Sequence, residues 1–146
     1  MVWGNVGYNF SRVFILGYIV SFHIHKRLYE RIVRMIETPQ SISDWSIKVF
    51  PTLTEEAQNI KLFEEVFEFF NAKTLEEKIK ELADIYIVAC ILKYRFGSDL
   101  GFYVFRTLMT NKMFGVYKAV DKKMEINRKR IWKWNGKTYH HEGNDE

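Results

Sequence analysis

The acidic residues best placed to do chemistry come in two short groups, Glu64-Glu65-Val66-Phe67-Glu68 and Glu81-Leu82-Ala83-Asp84, with twelve residues between them. In each group two carboxylates stand three residues apart, Glu65 with Glu68 and Glu81 with Asp84. That spacing puts both on one face of a helix, with Cβ atoms about 5–6 Å apart. Carboxylates that close repel one another unless positive charge lies between them. If the two helices pack together, four of them converge into a cage of hard oxygen donors, and such a cage suits Mg²⁺. This is the outline of a site acting on a phosphorylated substrate.

Glutamates on a helix ordinarily mark a solvated face, but the apolar register argues against that here. At 100° per residue, Ile85, Val88, Ile91 and Leu92 define the buried stripe of the second helix, and Glu81 and Asp84 extend the same stripe towards its N-terminus. On the first helix Leu62, Val66, Phe69 and Phe70 form the apolar arc, with Glu65 on its border and Glu68 just beyond. Inward carboxylates without partners are costly, so a compensating cation is expected. Salt bridges from Lys61 and Lys80 are the structural alternative.

The elements that must hold these groups read as helices. Thr54 is an N-cap, Glu55 and Glu56 fill the first turn, and nothing breaks the helix before about Ala72. A short loop over 71–74 leads into a second long helix, roughly 75–96, which Gly97 ends. Asp99 starts another helical stretch, Gly115 interrupts it, and residues 116 to about 132 continue as helix. Upstream, residues 26–37 read as an amphipathic helix ended by Pro39. Residues 43–50 read as a short helix or turn stopped by Pro51. Residues 1–34 are poorly readable, and the apolar run 13–24 is too short to span a bilayer as a helix. From Asn135 onward the chain reads as a loosely held polar tail. The expectation is an all-α helical bundle forming a single domain over 1–146.

A hydrophobic fraction of 47% and an aromatic fraction of 16% in 146 residues describe a globular chain with a proper core, not a disordered one. The net charge of +4 is unevenly spread. Lys122, Lys123, Arg128, Lys129, Arg130, Lys133 and Lys137 crowd the C-terminal quarter, while the acids gather between Glu55 and Asp84. Such segregation suits an anion bridging a metal site and a basic patch, and it suits nucleic acid equally. The single cysteine, Cys90, lies in an apolar run and reads as an inert core thiol of a cytosolic protein.

The order Glu-Glu-x-x-Glu, twelve residues, then Glu-x-x-Asp resembles the signature of the MazG-like, all-α nucleoside triphosphate pyrophosphohydrolases. Trp45, Phe50-Pro51, Thr54, Gln58 and Lys61-Leu62 stand ahead of the acids as in phage-type members. Downstream, Lys123-Met-Glu-Ile-Asn127-Arg-Lys-Arg130 resembles the family's Lys-x-x-x-Asn-x-x-Arg element. The likeness runs from about Trp45 to His141, and residues 1–34 match nothing in it.

The resemblance implies Mg²⁺, with Mn²⁺ as a substitute, held by Glu65, Glu68, Glu81 and Asp84. It makes Glu64 and Glu65 the catalytic candidates, with Glu64 positioning the attacking water or holding a further metal. The implied reaction is hydrolysis of a (d)NTP at the α-phosphorus, giving (d)NMP and pyrophosphate. Lys123, Asn127 and Arg130 recur at i, i+4 and i+7 on one helical face and would grip the β- and γ-phosphates. Gln58 and Lys61 are further substrate-binding candidates, and Trp45, Trp132 and Trp134 are candidates to stack on the base, whose identity stays open. His140-His141 resembles the paired histidines near the end of some phage members, without companions for a zinc site. His23 and His25 read as packing or surface residues, and Asp121 and Glu125 as helix charges.

The implied assembly is a homo-oligomer, dimer or tetramer, with Phe69, Phe70, Phe102, Tyr103 and Phe105 as interface or core. The expected setting is the cytoplasm (a host cytoplasm if the chain is phage-encoded), with no membrane and no nucleic acid partner. Two rivals remain. One is a nucleic-acid-binding helical protein using residues 122–133 on a phosphate backbone. The other is a non-catalytic, metal-stabilised subunit that only oligomerises.

Overall fold

Pro39 opens a helix. Thr38 is its N-cap, with Oγ1 accepting from the Ser41 amide at 3.0 Å while Ser41 Oγ accepts from the Thr38 amide at 2.9 Å. Proline is well suited to the first helical position, where its missing N–H would have had no partner. Helix α1 therefore runs Pro39–Val49, earlier and longer than the turn or short helix expected over 43–50. The computed structural model describes residues 37–142, which belong to one compact unit, Ile36–Glu146. The helix expected over 26–37 lies outside the described residues as far as 36, as do the apolar run 13–24, His23 and His25.

Helix α2, Glu55–Asn71, starts where Thr54 Oγ1 accepts from the Ala57 amide at 3.1 Å. Helix α3, Leu75–Phe96, starts on a reciprocal cap between Thr74 and Glu77. It ends at Gly97, whose φ of 78° is the left-handed conformation that glycine adopts without strain. Helix α4 follows at Leu100–Leu108 and α5 at Val116–Lys129. α3 is the hub: α1, α2, α4 and α5 all pack on it, and every residue from Ile85 to Leu92 is buried. α4 comes close to α3 at Gly101, where a Cβ would come within 2.6 Å of Ala89 Cα. α5 answers with Val116, Val120, Met124 and Asn127, buried at helical spacing.

The C-terminal part differs from the expected continuous helix and loose tail. Helix α5 stops at Lys129, and Trp132–Trp134 (β1) pairs antiparallel with Tyr139–His141 (β2), Trp132 opposite His141. Asn135 and Gly136 make the turn: Asn135 Oδ1 accepts from the amides of Lys137 and Thr138 at 2.9 and 2.8 Å, and Gly136 has φ 95°. Two aromatic-rich runs on either side of Asn-Gly carry a hairpin signal. The hairpin is tied back to the helices, with Tyr139 Oη and Thr52 Oγ1 hydrogen-bonded at 2.6 Å and Trp132 edge-on to Phe50 at 5.1 Å. The described residues are thus mostly helical, with one small hairpin added.

Among the interface candidates, Phe69 and Phe105 are buried, Phe102 is half-buried, and Phe70 and Tyr103 are exposed. Phe70 therefore leaves the apolar arc assigned to it. It lies 100° around α2 from Phe69, which turns it away from the face packed on α3.

Candidate functional site

The face of α2 that carries Gln58, Leu62 and Phe69 into the interior carries Glu65 with it, and Glu65 is 5% exposed. Glu68, one turn on, is exposed, and Glu81 reaches it from α3, half-buried. Glu65, Glu68 and Glu81 each offer a carboxylate oxygen, and the three lie within 4.8 Å of one another. Asp84, on the next turn of α3 after Glu81, is held by α5 instead, with Oδ2 2.8 Å from Lys123 Nζ.

Two lysines supply the positive charge that this crowding demands. Lys61 Nζ lies 2.7 Å from Glu65 and 3.5 Å from Glu64, and Lys123 serves Asp84. Lys80 does not contribute an ion pair here; it pairs with Glu76 at 3.1 Å. The sequence had assigned Lys123 to substrate phosphates only. Its ion pair with Asp84 depends on α5 packing against α3, which spacing along the chain does not encode.

The carboxylates still hold their protons unusually tightly. Burial, then the charge of Asp84, pushes Glu65 up to about 7 against the pull of Lys61. Burial raises Asp84 to about 6 despite Lys123. Glu81 is also raised, by burial and then by the charges of Glu68 and Glu65. For both lysines burial works towards a lower pKa, but the surrounding carboxylates, Glu65 foremost for Lys61 and Asp84 for Lys123, overcome it and raise both. The balance describes a site with more carboxylate than its own cations satisfy. An all-oxygen donor set of this charge fits a hard divalent cation.

These groups open onto a cavity of about 430 Å³. Glu64, Glu65, Glu68 and Asp84 line one part, and Lys61, Lys123, Asn127 and Arg130 line it beside them. Gln58 and the rings of Trp45, Phe50, Trp132 and Tyr139 line the rest. Nine of the ten site residues expected from the sequence therefore face one cavity, and Glu81 completes the acid cluster next to it. Arg130 donates to Asn127 Oδ1 at 3.0 Å and lies 5.9 Å from the centre of the Trp132 ring, so these side chains organise one another.

The hairpin is the part of the site that sequence reasoning missed. Thr138, Tyr139, His140 and His141 line the cavity because β2 folds back beside Trp132. The Asn-Gly turn between aromatic runs was the signal. Trp134 is not among the lining residues and packs on Tyr139 at 5.0 Å instead. Cys90 is buried, its thiol pushed up to about 12 by that burial, and it is unsuited to nucleophilic work. Asp121 is more than a helix charge, since its carboxylate accepts from the Glu37 amide at 3.0 Å.

Much of the basic C-terminal cluster is met by nearby acids. Arg128 pairs with Glu37 at 2.8 Å, Lys129 with Glu125 at 2.7 Å, and Lys133 with Glu142. No helix among the described residues is long and apolar enough to cross a membrane. Comparison of the chain with family models, curated proteins and solved structures returned no match.

Proposed function

We propose that the protein is a nucleoside triphosphate pyrophosphohydrolase of the MazG-like, all-α type, cleaving a (d)NTP to (d)NMP and pyrophosphate. The observation that carries this reading is the convergence of α2, α3 and α5 on one cavity, with carboxylates beside Lys123, Asn127 and Arg130 and aromatic rings further along. Glu65, Glu68, Glu81 and Asp84 would hold Mg²⁺, or Mn²⁺ in its place. When bound, the cation would neutralise phosphate oxygens and polarise the α-phosphorus.

The chain's own side chains supply the positioning. Lys123 and Arg130 bring positive charge to the triphosphate, with Asn127 held between them by Arg130. Lys61 is a further cation beside Glu64 and Glu65. Glu64 is exposed at the edge of the cavity, and in this reading it would orient a water and take its proton. The water oxygen bonds to the α-phosphorus as the bond to the bridging oxygen breaks, and that oxygen leaves on pyrophosphate. Such a reaction asks for positioning and charge neutralisation rather than a protein nucleophile.

The nucleic-acid rival loses ground because Arg128, Lys129 and Lys133 are each paired with an acid, while Lys123 lines the cavity beside Asp84. Homo-oligomerisation belongs to the same proposal. It is supported by an exposed aromatic row on α2, Phe63, Phe67 and Phe70, at i, i+4 and i+7. The activity is tested by incubating a panel of NTPs and dNTPs with Mg²⁺ and resolving the products. Monophosphate with pyrophosphate is the expected result; stepwise loss of phosphate, or no turnover at all, overturns the assignment.

A further inference from the structure

Gln58 is 5% exposed, faces the cavity, and has no hydrogen-bond partner for its carboxamide among the described residues. Its carboxamide is open to the cavity rather than sealed in the core, so it is available to a partner entering from outside the chain. Where Gln58 sits says what kind. It lies seven residues before Glu65 on the same face of α2, about 10 Å along the helix axis from the acid cluster. Trp45, Phe50 and Trp132 meet edge to face at 5.1 to 6.2 Å as part of the same lining.

A phosphate is a poor match for this group, because it offers acceptors only and would face the amide oxygen with its own lone pairs. A sugar hydroxyl can answer an amide but has no flat face for the aromatic walls. A nucleobase has both, a π-face that stacks and an edge where donor and acceptor lie side by side. We propose that Gln58 reads the hydrogen-bonding edge of the base and sets base specificity. This rests on the nucleotide reading of the cavity, so its test is separated from hydrolysis.

Nucleosides without phosphate are titrated into the full chain in EDTA, with the fluorescence of Trp45 and Trp132 following occupancy. The wild-type protein is expected to prefer one base over the weakest binder by at least about 10-fold, within the range of one bidentate base contact. Gln58→Leu should collapse that preference while the weakest binder, held by stacking, keeps its affinity. Gln58→Met serves the same purpose should the leucine variant not fold. Gln58→Glu, which keeps acceptors and loses its donor, should move preference towards guanosine, whose N1–H and N2–H groups both donate. No nucleoside binding by the wild type, or an unchanged preference in a folded Gln58→Leu or Gln58→Met protein, overturns the proposal. Preference lost in the variants without hydrolysis in the wild type leaves Gln58 assigned and removes the pyrophosphohydrolase. Hydrolysis with unchanged preference does the reverse.

Discussion

Glu65 and Asp84 titrate near 7 and 6, where surface carboxylates of their kinds would titrate near 4.5 and 3.8. A carboxyl whose pKa is raised by folding binds its proton more tightly in the native state than in the unfolded one. Its contribution is fully present below the unfolded value and is lost as pH rises through the folded one. The metal-free protein should therefore lose stability between pH of about 4 and 7 and change little just above that range. Protons and a divalent cation compete for the same oxygens, so the rise in melting temperature caused by Mg²⁺ should be large near pH of about 8 and vanish near about 5. Melting curves across pH, in EDTA and in Mg²⁺, measure both effects. A Mg²⁺ shift that ignores pH would show that these carboxylates do not hold the ion. The same oxygens predict that Asp84→Asn and Glu68→Gln each lower turnover at least about 100-fold with helicity retained, since ligand changes exceed the effect of altering outer-shell partners. Full activity in both variants removes the metal cage.

Lys123 joins α5 to Asp84 on α3, and that junction makes an opposed pair of predictions. In the metal-free protein its ammonium stands where positive charge is needed. Lys123→Met keeps the length of the side chain and removes that competitor, so Mg²⁺ should bind more tightly by calorimetry even as turnover falls for want of a phosphate contact. Weaker Mg²⁺ binding would mean that Lys123 only orients Asp84. The junction of α3 and α4 is tested at Gly101. Alanine there would drive a methyl into the backbone of Ala89, and overpacking of this kind costs about 1–3 kcal/mol, read as a lower melting temperature. The elements differ in how far the chain announces them. α2 and α3 were legible because Thr54, Thr74 and Gly97 do local work at their ends, and the carboxylate pairs follow from their periodicity. Pro39 reads in the sequence only as a stop, yet proline also suits the first position of a helix, and Thr38 and Ser41 mark that start. The strands Trp132–Trp134 and Tyr139–His141 are too short to show a period. Their place beside the acids depends on Phe50 and Thr52, more than 80 residues away in sequence.

At the scale of the whole molecule, one surface does not suit a protein alone in water. Phe63, Phe67 and Phe70 are 67%, 71% and 66% exposed and form a row on the side of α2 turned away from Leu62 and Phe69. Rings of this size bury roughly 150–250 Å² each, so the three account for much of the about 800 Å² that each partner of a stable interface covers. A second copy of the chain is the occupant that the proposed assembly supplies. Glu64 and Glu68 are also exposed and lie on α2 between this row and the buried Glu65. A partner seated on the phenylalanines would therefore border the acid cluster and lower the dielectric around it, strengthening the hold of the carboxylates on a cation. Phe67→Glu puts a charge at the middle of the row at a residue that does not itself line the cavity. Light scattering on a sizing column should find an oligomer for the wild type and a monomer for Phe67→Glu. Loss of the partner should weaken Mg²⁺ binding together with assembly. A wild-type protein that stays monomeric at high concentration would remove the oligomer, and an oligomer unmoved by Phe67→Glu would place its interface elsewhere.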